Sequence, residues 1–214
     1  MKKGVFALAV VGIGVLASIF GCAVTSATTD PSGAKVGTNP GRIFQSGPVK
    51  LKPAEGNQLA AFSGGCFWGT EDVFRQIPGV VATAVGYSGG HTSNPTYEDV
   101  CSHTTGHAET VLVEYNPAKV SYKKLLAVFW ENHDPTTVNR QGPDVGSNYR
   151  SAIWTFSETQ AEVARQSLNA EQKKLTHEIV TEIKPAEPFW VAEDYHQQYD
   201  EKHGTHFCPI NHGS

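Results

Sequence analysis

Methionine is almost missing from this chain. The only one is Met1, so a processed form would carry no thioether, the side chain most readily oxidised to a sulfoxide. Cysteine is scarce as well. Cys22, Cys66, Cys101 and Cys208 are the four among 214 residues, too few for a disulfide-dense secreted scaffold. There is no long basic run, and the net charge is −4, a balance that argues against a nucleic-acid partner. The apolar run from Val5 to Phe20 falls short of the roughly 20 residues that a membrane-spanning helix needs.

What the N-terminus does have is Met1-Lys-Lys-Gly followed by that apolar run. This is the charged and then apolar layout of a secretory signal. Residues 1–21 are therefore expected to be a signal peptide. Ile19-Phe-Gly-Cys22 resembles a lipobox, in which Cys22 would be lipidated and become the first mature residue. Phe20 is bulky for that motif, and cleavage near Thr25-Ser-Ala27 is the alternative. Either route predicts export, to the bacterial periplasm or as a membrane-anchored lipoprotein. Loss of residues 1–21 leaves 193 residues and removes Lys2 and Lys3, moving the net charge from −4 to −6. Residues 22–50, rich in Gly, Pro, Ser and Thr from Thr28 onward, read as a flexible linker. Residues 51–214 suit one catalytic domain, expected to be a monomer. With Cys22 lipidated, an odd number of thiols remains, so at least one should be free or cycling.

Along the domain, Gln58–Ser63 reads as a strand. Cys66 to about Gln76 reads as a helix striped by Val73, Phe74 and Ile77 and stopped by Pro78-Gly79. Val80–Tyr87 is strand-like, and Ser88–Gly106 reads as a long loop of the kind that usually serves function. Ala108–Tyr115 is the next strand. Ser121 caps a helix to about His133, Asp134–Asn148 is a second loop, and Tyr149–Phe156 is again a strand. Ser157-Glu-Thr-Gln160 forms a capping box for a helix to about Leu175. Ile179–Ile183 is a last short strand before a partly helical, His-rich tail. The order β-α-β-β-α-β followed by α-β predicts an α+β fold: a two-layer α/β plait with a ferredoxin-like split βαβ core.

Chemistry concentrates first at Gly65-Cys66-Phe67-Trp68-Gly69. Gly64 and Gly65 allow a tight turn that leaves the sulfur uncovered. A cysteine at a helix start meets free N–H groups and the positive end of the helix dipole, which favour thiolate. Phe67 and Trp68 would give a neighbouring substrate an apolar wall. In the Ala108 strand, alternation puts Glu109 on the same face as Val111, Val113 and Tyr115. A carboxyl there would be desolvated and held protonated near neutral pH, a general acid in waiting; a solvated position at the strand's edge is the alternative. Tyr97 and Tyr149, in or beside the long loops, could donate phenolic hydrogen bonds to a substrate oxygen or simply pack, as could Tyr87. Asp144 could cap a helix, close a turn or bind a substrate amide. Cys101 reads as a buried bystander.

Taken together, Gly65-Cys-Phe-Trp-Gly69, Gly86-Tyr-Ser-Gly-Gly90, Asn94-Pro-Thr-Tyr97, Thr105-Gly-His-Ala-Glu109, Phe129-Trp-Glu-Asn-His-Asp-Pro135, Arg140-Gln-Gly-Pro-Asp144, Tyr149-Arg-Ser-Ala-Ile153 and His196-Gln-Gln-Tyr199 resemble the peptide methionine sulfoxide reductase A (MsrA) family in order and spacing. The resemblance covers residues 58–208. It implies a thiol-dependent oxidoreductase that returns the S epimer of peptide-bound or free methionine sulfoxide to methionine, repairing oxidised proteins. Cys66 would be the nucleophile, with Phe67 and Trp68 holding the substrate methyl group. Glu109 would protonate the departing oxygen, bonded also by Tyr97 and Tyr149, and Asp144 would orient the substrate backbone. Cys208 falls at the family's resolving cysteine, so a Cys66–Cys208 disulfide is implied. A thioredoxin-like dithiol would be the external reductant, with no bound cofactor and no metal. The chain ends six residues after Cys208, so no relay through a further thiol is expected.

Two rival readings have their own residues. A cysteine hydrolase or transamidase would need Cys66 paired with a histidine base, for which His91, His103, His107 and His196 are candidates. A metal site would use His203, His206, Cys208 and His212, whose spacing matches no closed zinc site.

Overall fold

The structure is a computed structural model that describes Met1 and residues 52–205. Apart from Met1, the expected signal peptide (1–21) and linker (22–50), with Cys22, lie outside the described residues, as do Leu51 and residues 206–214 with His206, Cys208 and His212. The element order is β1 (Gln58–Gly64), α1 (Phe67–Arg75), β2 (Val80–Ser88), α2 (Tyr97–Cys101), β3 (Ala108–Tyr115) and α3 (Tyr122–Glu131). A small hairpin of β4 (Arg140–Gln141) and β5 (Asp144–Val145) and a 3-10 turn at Ser147–Tyr149 come next. The chain continues through β6 (Ser151–Thr155), α4 (Glu158–Gln172), β7 (Glu182–Pro185), β8 (Trp190–Val191) and α5 (Tyr199–His203).

The result is a mixed α-β fold around one six-stranded sheet of order β7-β6-β1-β3-β2-β8. All neighbours in it are antiparallel except β6 and β7. The pairing register places the site. Phe62 lies opposite Val111, Gly64 opposite Ser151, and Tyr87 opposite Glu109. The end of β1, the end of β2 and the starts of β3 and β6 therefore meet at one end of the central strands.

Both sheet faces are covered, because β3 is buried at every position. Alternation sends Val111, Val113 and Tyr115 into the larger core with Phe62, Phe74, Leu125, Leu126 and Phe129. Leu112 goes to the opposite face with Leu59, Ala61, Trp154 and Phe189. Each large side chain buried this way contributes about 1.5–3 kcal/mol. The stacked pair Phe62–Phe74, with centroids 4.7 Å apart, ties α1 to β1. α3 starts where Ser121 accepts the Lys124 N–H at 3.2 Å, a side-chain cap that satisfies one free donor of the first turn.

Several elements differ from the sequence expectation. The buried face of α1 is Phe67, Glu71, Phe74 and Arg75, while Val73 and Ile77 are only half-buried; an apolar stripe with a carboxylate inside it is not found by counting apolar residues. The long loop after β2 holds α2, whose start is a capping box between Thr96 and Asp99. Tyr149 belongs to a 3-10 turn rather than to β6. In the expected box at Ser157, Gln160 reaches past the cap residue to the Phe156 N–H at 2.9 Å. The strand expected at Ile179 begins instead at Glu182, where it can pair in parallel with β6, and it is followed by a further short strand, β8. The polar tail is ordered through α5: Asp200 is buried, and Arg75 pairs with Glu201.

Candidate active site

Cys66 is the N-cap residue of α1 and half-buried. The turn that puts it there needs glycine. Gly65 has φ of +94°, and a Cβ on it would come within 2.5 Å of Gln141 Cγ, so both the backbone and the close packing exclude a side chain. Gln141 in turn exchanges hydrogen bonds with the backbone of Asp134, accepting its N–H at 3.0 Å and donating to its carbonyl at 3.1 Å. Through this residue the β4–β5 hairpin, which carries Asp144, is fastened beneath the cysteine turn.

The carboxyl of Glu109 is 2% exposed. Its Oε2 accepts the backbone N–H of Phe67 at 3.0 Å, the residue after Cys66. Its Oε1 faces Asn148, whose Nδ2 donates at 3.4 Å. Burial pushes the carboxyl up to about 7, against the lowering effect of those two donors, and Asp144 raises it further. An acid with this midpoint is half protonated at neutral pH.

The thiol does not behave as the helix-start argument expects. Burial first, and then the charge of Glu109, push Cys66 up to about 12; the N–H groups of Trp68 and Gly69 pull the other way and are outweighed. The resting group is a thiol. The correction is physical: a helix N-terminus favours thiolate only where the sulfur is not also desolvated beside a carboxylate.

Around this pair lie the other expected residues. Tyr97 is half-buried at the start of α2, with its N–H donating to Glu193 Oε1 at 2.9 Å. Burial, a hydrogen bond with Cys101 and the charge of Glu109 all raise its hydroxyl. Tyr149 is half-buried, and its hydroxyl is pushed up to about 12 by burial and Glu109. Both phenols therefore stay protonated and able to donate. Asp144, on β5, is raised by burial and lies near enough to act on both Cys66 and Glu109. Phe67 is fully buried, its ring 6.0 Å from that of Tyr87. Trp68 is half-buried; its indole N–H donates to His196 Nδ1 at 3.0 Å, and its ring stacks on Tyr199 at 3.8 Å. Tyr87 packs in the core with its hydroxyl donating to Glu193 at 2.9 Å.

Cys101 is not a buried bystander. It is only half-buried and hydrogen-bonded to Tyr97. The histidines proposed as a base for Cys66 have other tasks where they are buried. His107 accepts the Gly90 N–H at 3.1 Å and bonds the Thr92 carbonyl at 2.8 Å, and His196 holds Trp68. His91 and His103 are exposed. Among the described residues no cluster of His, Cys, Asp and Glu could hold a metal ion. Asn148 and Gln141 escaped the sequence reading. Asn148 adjoins Tyr149, but nothing in an amide's identity announces a carboxyl partner.

The site brings a turn-held cysteine, a near-neutral carboxylic acid and two phenols into one electrostatic neighbourhood. The family model described as peptide methionine sulfoxide reductase matches residues 58–214. Among curated proteins, the peptide methionine sulfoxide reductase of Brassica napus is 54% identical over 158 residues, which cover 74% of this chain and 62% of that protein. The MsrA of Methanosarcina acetivorans is 58% identical over 162 residues, covering 75% and 86%. Methionine sulfoxide reductase A of Corynebacterium diphtheriae is similar in structure, with TM-score 0.71, 37% identity and coverage of 85% and 93%. Mxr1 of Saccharomyces cerevisiae in complex with Trx2 gives TM-score 0.51, 28% identity and coverage of 75% and 92%. The chain belongs to the peptide methionine sulfoxide reductase family.

Proposed function

We propose that this protein is a peptide-methionine (S)-S-oxide reductase that acts through Cys66, with Glu109 as its acid. The observation that carries the assignment is the Glu109 carboxyl, pushed up to about 7 by burial and bonded to the Phe67 N–H at 3.0 Å. It is a proton donor fixed beside the nucleophile and available at neutral pH.

The sulfoxide oxygen takes the corner of Glu109, Tyr97 and Tyr149, and the methyl group lies against Phe67 and Trp68. Protonation of the oxygen by Glu109 makes the sulfur electrophilic. Cys66 Sγ bonds to it, and the thiol's proton replaces the one Glu109 gave up. The S–O bond breaks and the hydroxyl passes to Sγ as the transient S–S bond breaks, so that methionine leaves with the electron pair and Cys66 becomes a sulfenic acid. The Cys208 thiol condenses with it, releasing water and forming a disulfide, which a thioredoxin-like dithiol then reduces by exchange. No prosthetic group takes part. The Trx2 complex of yeast Mxr1 supports a thioredoxin-like partner. Asp144 orients the substrate backbone. The strand order β6-β1-β3-β2 inside the sheet supports a split βαβ plait for the core. Residues 1–21 support export, and Cys22 a lipid anchor, which the mass of the mature N-terminus would test.

The test of the activity is turnover of matched peptides carrying S- or R-sulfoxide, with thioredoxin, its reductase and a nicotinamide reductant. Consumption of S alone is expected. Equal consumption of both epimers would reject the pocket assignment, and no consumption of either would reject the enzyme assignment.

A further inference from the structure

Trp68 is held from the C-terminal segment. His196, 1% exposed, lies among the rings of Phe67, Trp68, Tyr97 and Tyr195, at centroid distances of 5.1, 5.6, 4.5 and 4.0 Å. Its Nδ1 accepts the Trp68 indole N–H at 3.0 Å. An accepting Nδ1 means a neutral ring with its proton on Nε2. That Nε2 is buried and has no hydrogen-bond partner among the described residues. Glu193 Oε2, at 3.9 Å, is beyond hydrogen-bond range. Burial pushes the imidazole down, with Glu193 opposing, so the ring stays neutral and Nδ1 stays an acceptor.

A buried polar atom without a partner costs folding free energy, and an apolar side chain would fill the same space without that cost. What leucine or phenylalanine cannot do is accept the indole N–H. Stacking on Tyr199, with the two planes 8° apart, fixes the plane of the Trp68 indole but not its rotation within that plane. The hydrogen bond to His196 fixes the rotation. The same turn serves the oxygen corner. The His196 N–H donates to the Glu193 carbonyl at 2.9 Å, and the Glu193 carboxylate holds the N–H of Tyr97 and the hydroxyl of Tyr87, each at 2.9 Å.

We infer that His196 is a positioning residue: a neutral imidazole that locks the Trp68 indole in the one orientation that presents its surface to the substrate methyl group. This rests on the sulfoxide reductase assignment made above. His196 does not touch the reacting atoms, and its effect runs through Trp68.

The test is steady-state kinetics of the full chain with an S-sulfoxide peptide and thioredoxin, comparing wild type, His196→Leu and His196→Asn. Asn places a carboxamide oxygen near the position of Nδ1, where it can accept the indole N–H. His196→Leu is expected to raise KM by about tenfold, the worth of one ordinary hydrogen bond, with kcat changed much less. His196→Asn is expected to return KM to within about threefold of wild type on the same grounds. Wild-type KM in His196→Leu, or no rescue by Asn, overturns the inference. Trp68→Phe, which keeps a ring but has no N–H, gives a readout that survives failure of the leucine variant to fold. In that background His196→Asn should leave KM unchanged, and a further rise of several-fold would show that His196 acts by another route. Absence of S-sulfoxide turnover in the wild type would instead reject the assignment on which the inference rests.

Discussion

Replacing Glu109 by Gln removes the proposed acid and almost nothing else. The amide oxygen can still accept the Phe67 N–H, which Glu109 now accepts at 3.0 Å. The new NH2 would face Asn148 Nδ2, a donor. But Asn148 Oδ1 is buried without a hydrogen-bond partner among the described residues, and a flip of that amide restores a donor–acceptor pair. The fold and substrate binding should therefore persist. The rate should fall by about 10²–10⁴-fold, the usual worth of a positioned general acid. Two further readings follow from the electrostatics. With an acid at about 7, the wild-type rate should drop as pH rises through neutrality, leaving about a tenth of the acid form at pH 8. Glu109→Gln should lose that limb. The charge of Glu109 is also the second largest cause of the raised Cys66 thiol, so iodoacetamide should alkylate Cys66 faster in the variant at a given pH. The assays are stopped-flow single turnover with an S-sulfoxide peptide from pH 5 to 9, and alkylation followed by mass. A wild-type rate in Glu109→Gln, or the same limb near neutral pH, would refute the assignment.

Asn148→Ala removes a donor that lowers the Glu109 midpoint, so the falling limb of the rate profile should move to higher pH; an unmoved limb would deny the contact any role. Glu71, buried and held up to about 7 by desolvation, keeps its proton in the folded state after the unfolded chain has lost it. That contribution to stability is present below about pH 4.5 and is lost as pH rises through about 7. Between pH 5 and 8 it amounts to about 2–3 kcal/mol, with a similar amount from Glu109. Urea unfolding of Glu71→Gln should recover roughly half of the loss seen in wild type, and an equally steep pH dependence would count against it. Cys208→Ser should complete one turnover with thioredoxin as reductant and stop with Cys66 oxidised to a sulfenic acid that dimedone traps; sustained turnover would remove Cys208 from the resolving role.

The longer strands β1, β2, β3 and β6 were legible because their residues obey a simple rule, whereas the two-residue strands β4, β5 and β8 are too short to show one. Ala108–Tyr115 alternates, and each alternate set lands in a different core. The start of α3 at Ser121 was legible for the same kind of reason, since capping is local. The burial of Glu109 could be read from its place in the alternation, although its partner Asn148 could not. Glu71 left a signal that apolar counting ignores: it shares a helix face with Phe67 and Phe74 at spacings of four and three, and it is 1% exposed. It accepts Thr83 and the Gln198 N–H at 2.9 and 2.7 Å, partners from a neighbouring strand and from far along the chain that no local pattern contains. α2 was missed although Thr96 and Asp99 spell its capping box, because glycine and proline nearby outweighed that signal. Tail order depends on long-range contacts, such as Gln197 donating to Val85 O and accepting from Val85 N, each at 2.9 Å.

The least legible property was the state of the thiol, and it changes how the proposed site would work. A cysteine raised to about 12 is slow toward alkylators and general oxidants, because the thiolate is the reactive form. Two causes dominate that shift, and one of them is conditional. Burial is fixed by the fold, whereas the Glu109 charge vanishes whenever Glu109 is protonated. A sulfoxide oxygen in the corner of Glu109, Tyr97 and Tyr149 accepts a hydrogen bond from the protonated carboxyl and so favours that form. The same event that polarises the substrate then removes a negative charge beside Cys66 and leaves the Trp68 and Gly69 N–H groups less opposed. On the proposed mechanism, activation of the nucleophile is thereby coupled to the presence of its substrate. A thiol kept permanently ionised by the helix end alone would lack that selectivity and would be oxidised in the absence of any substrate.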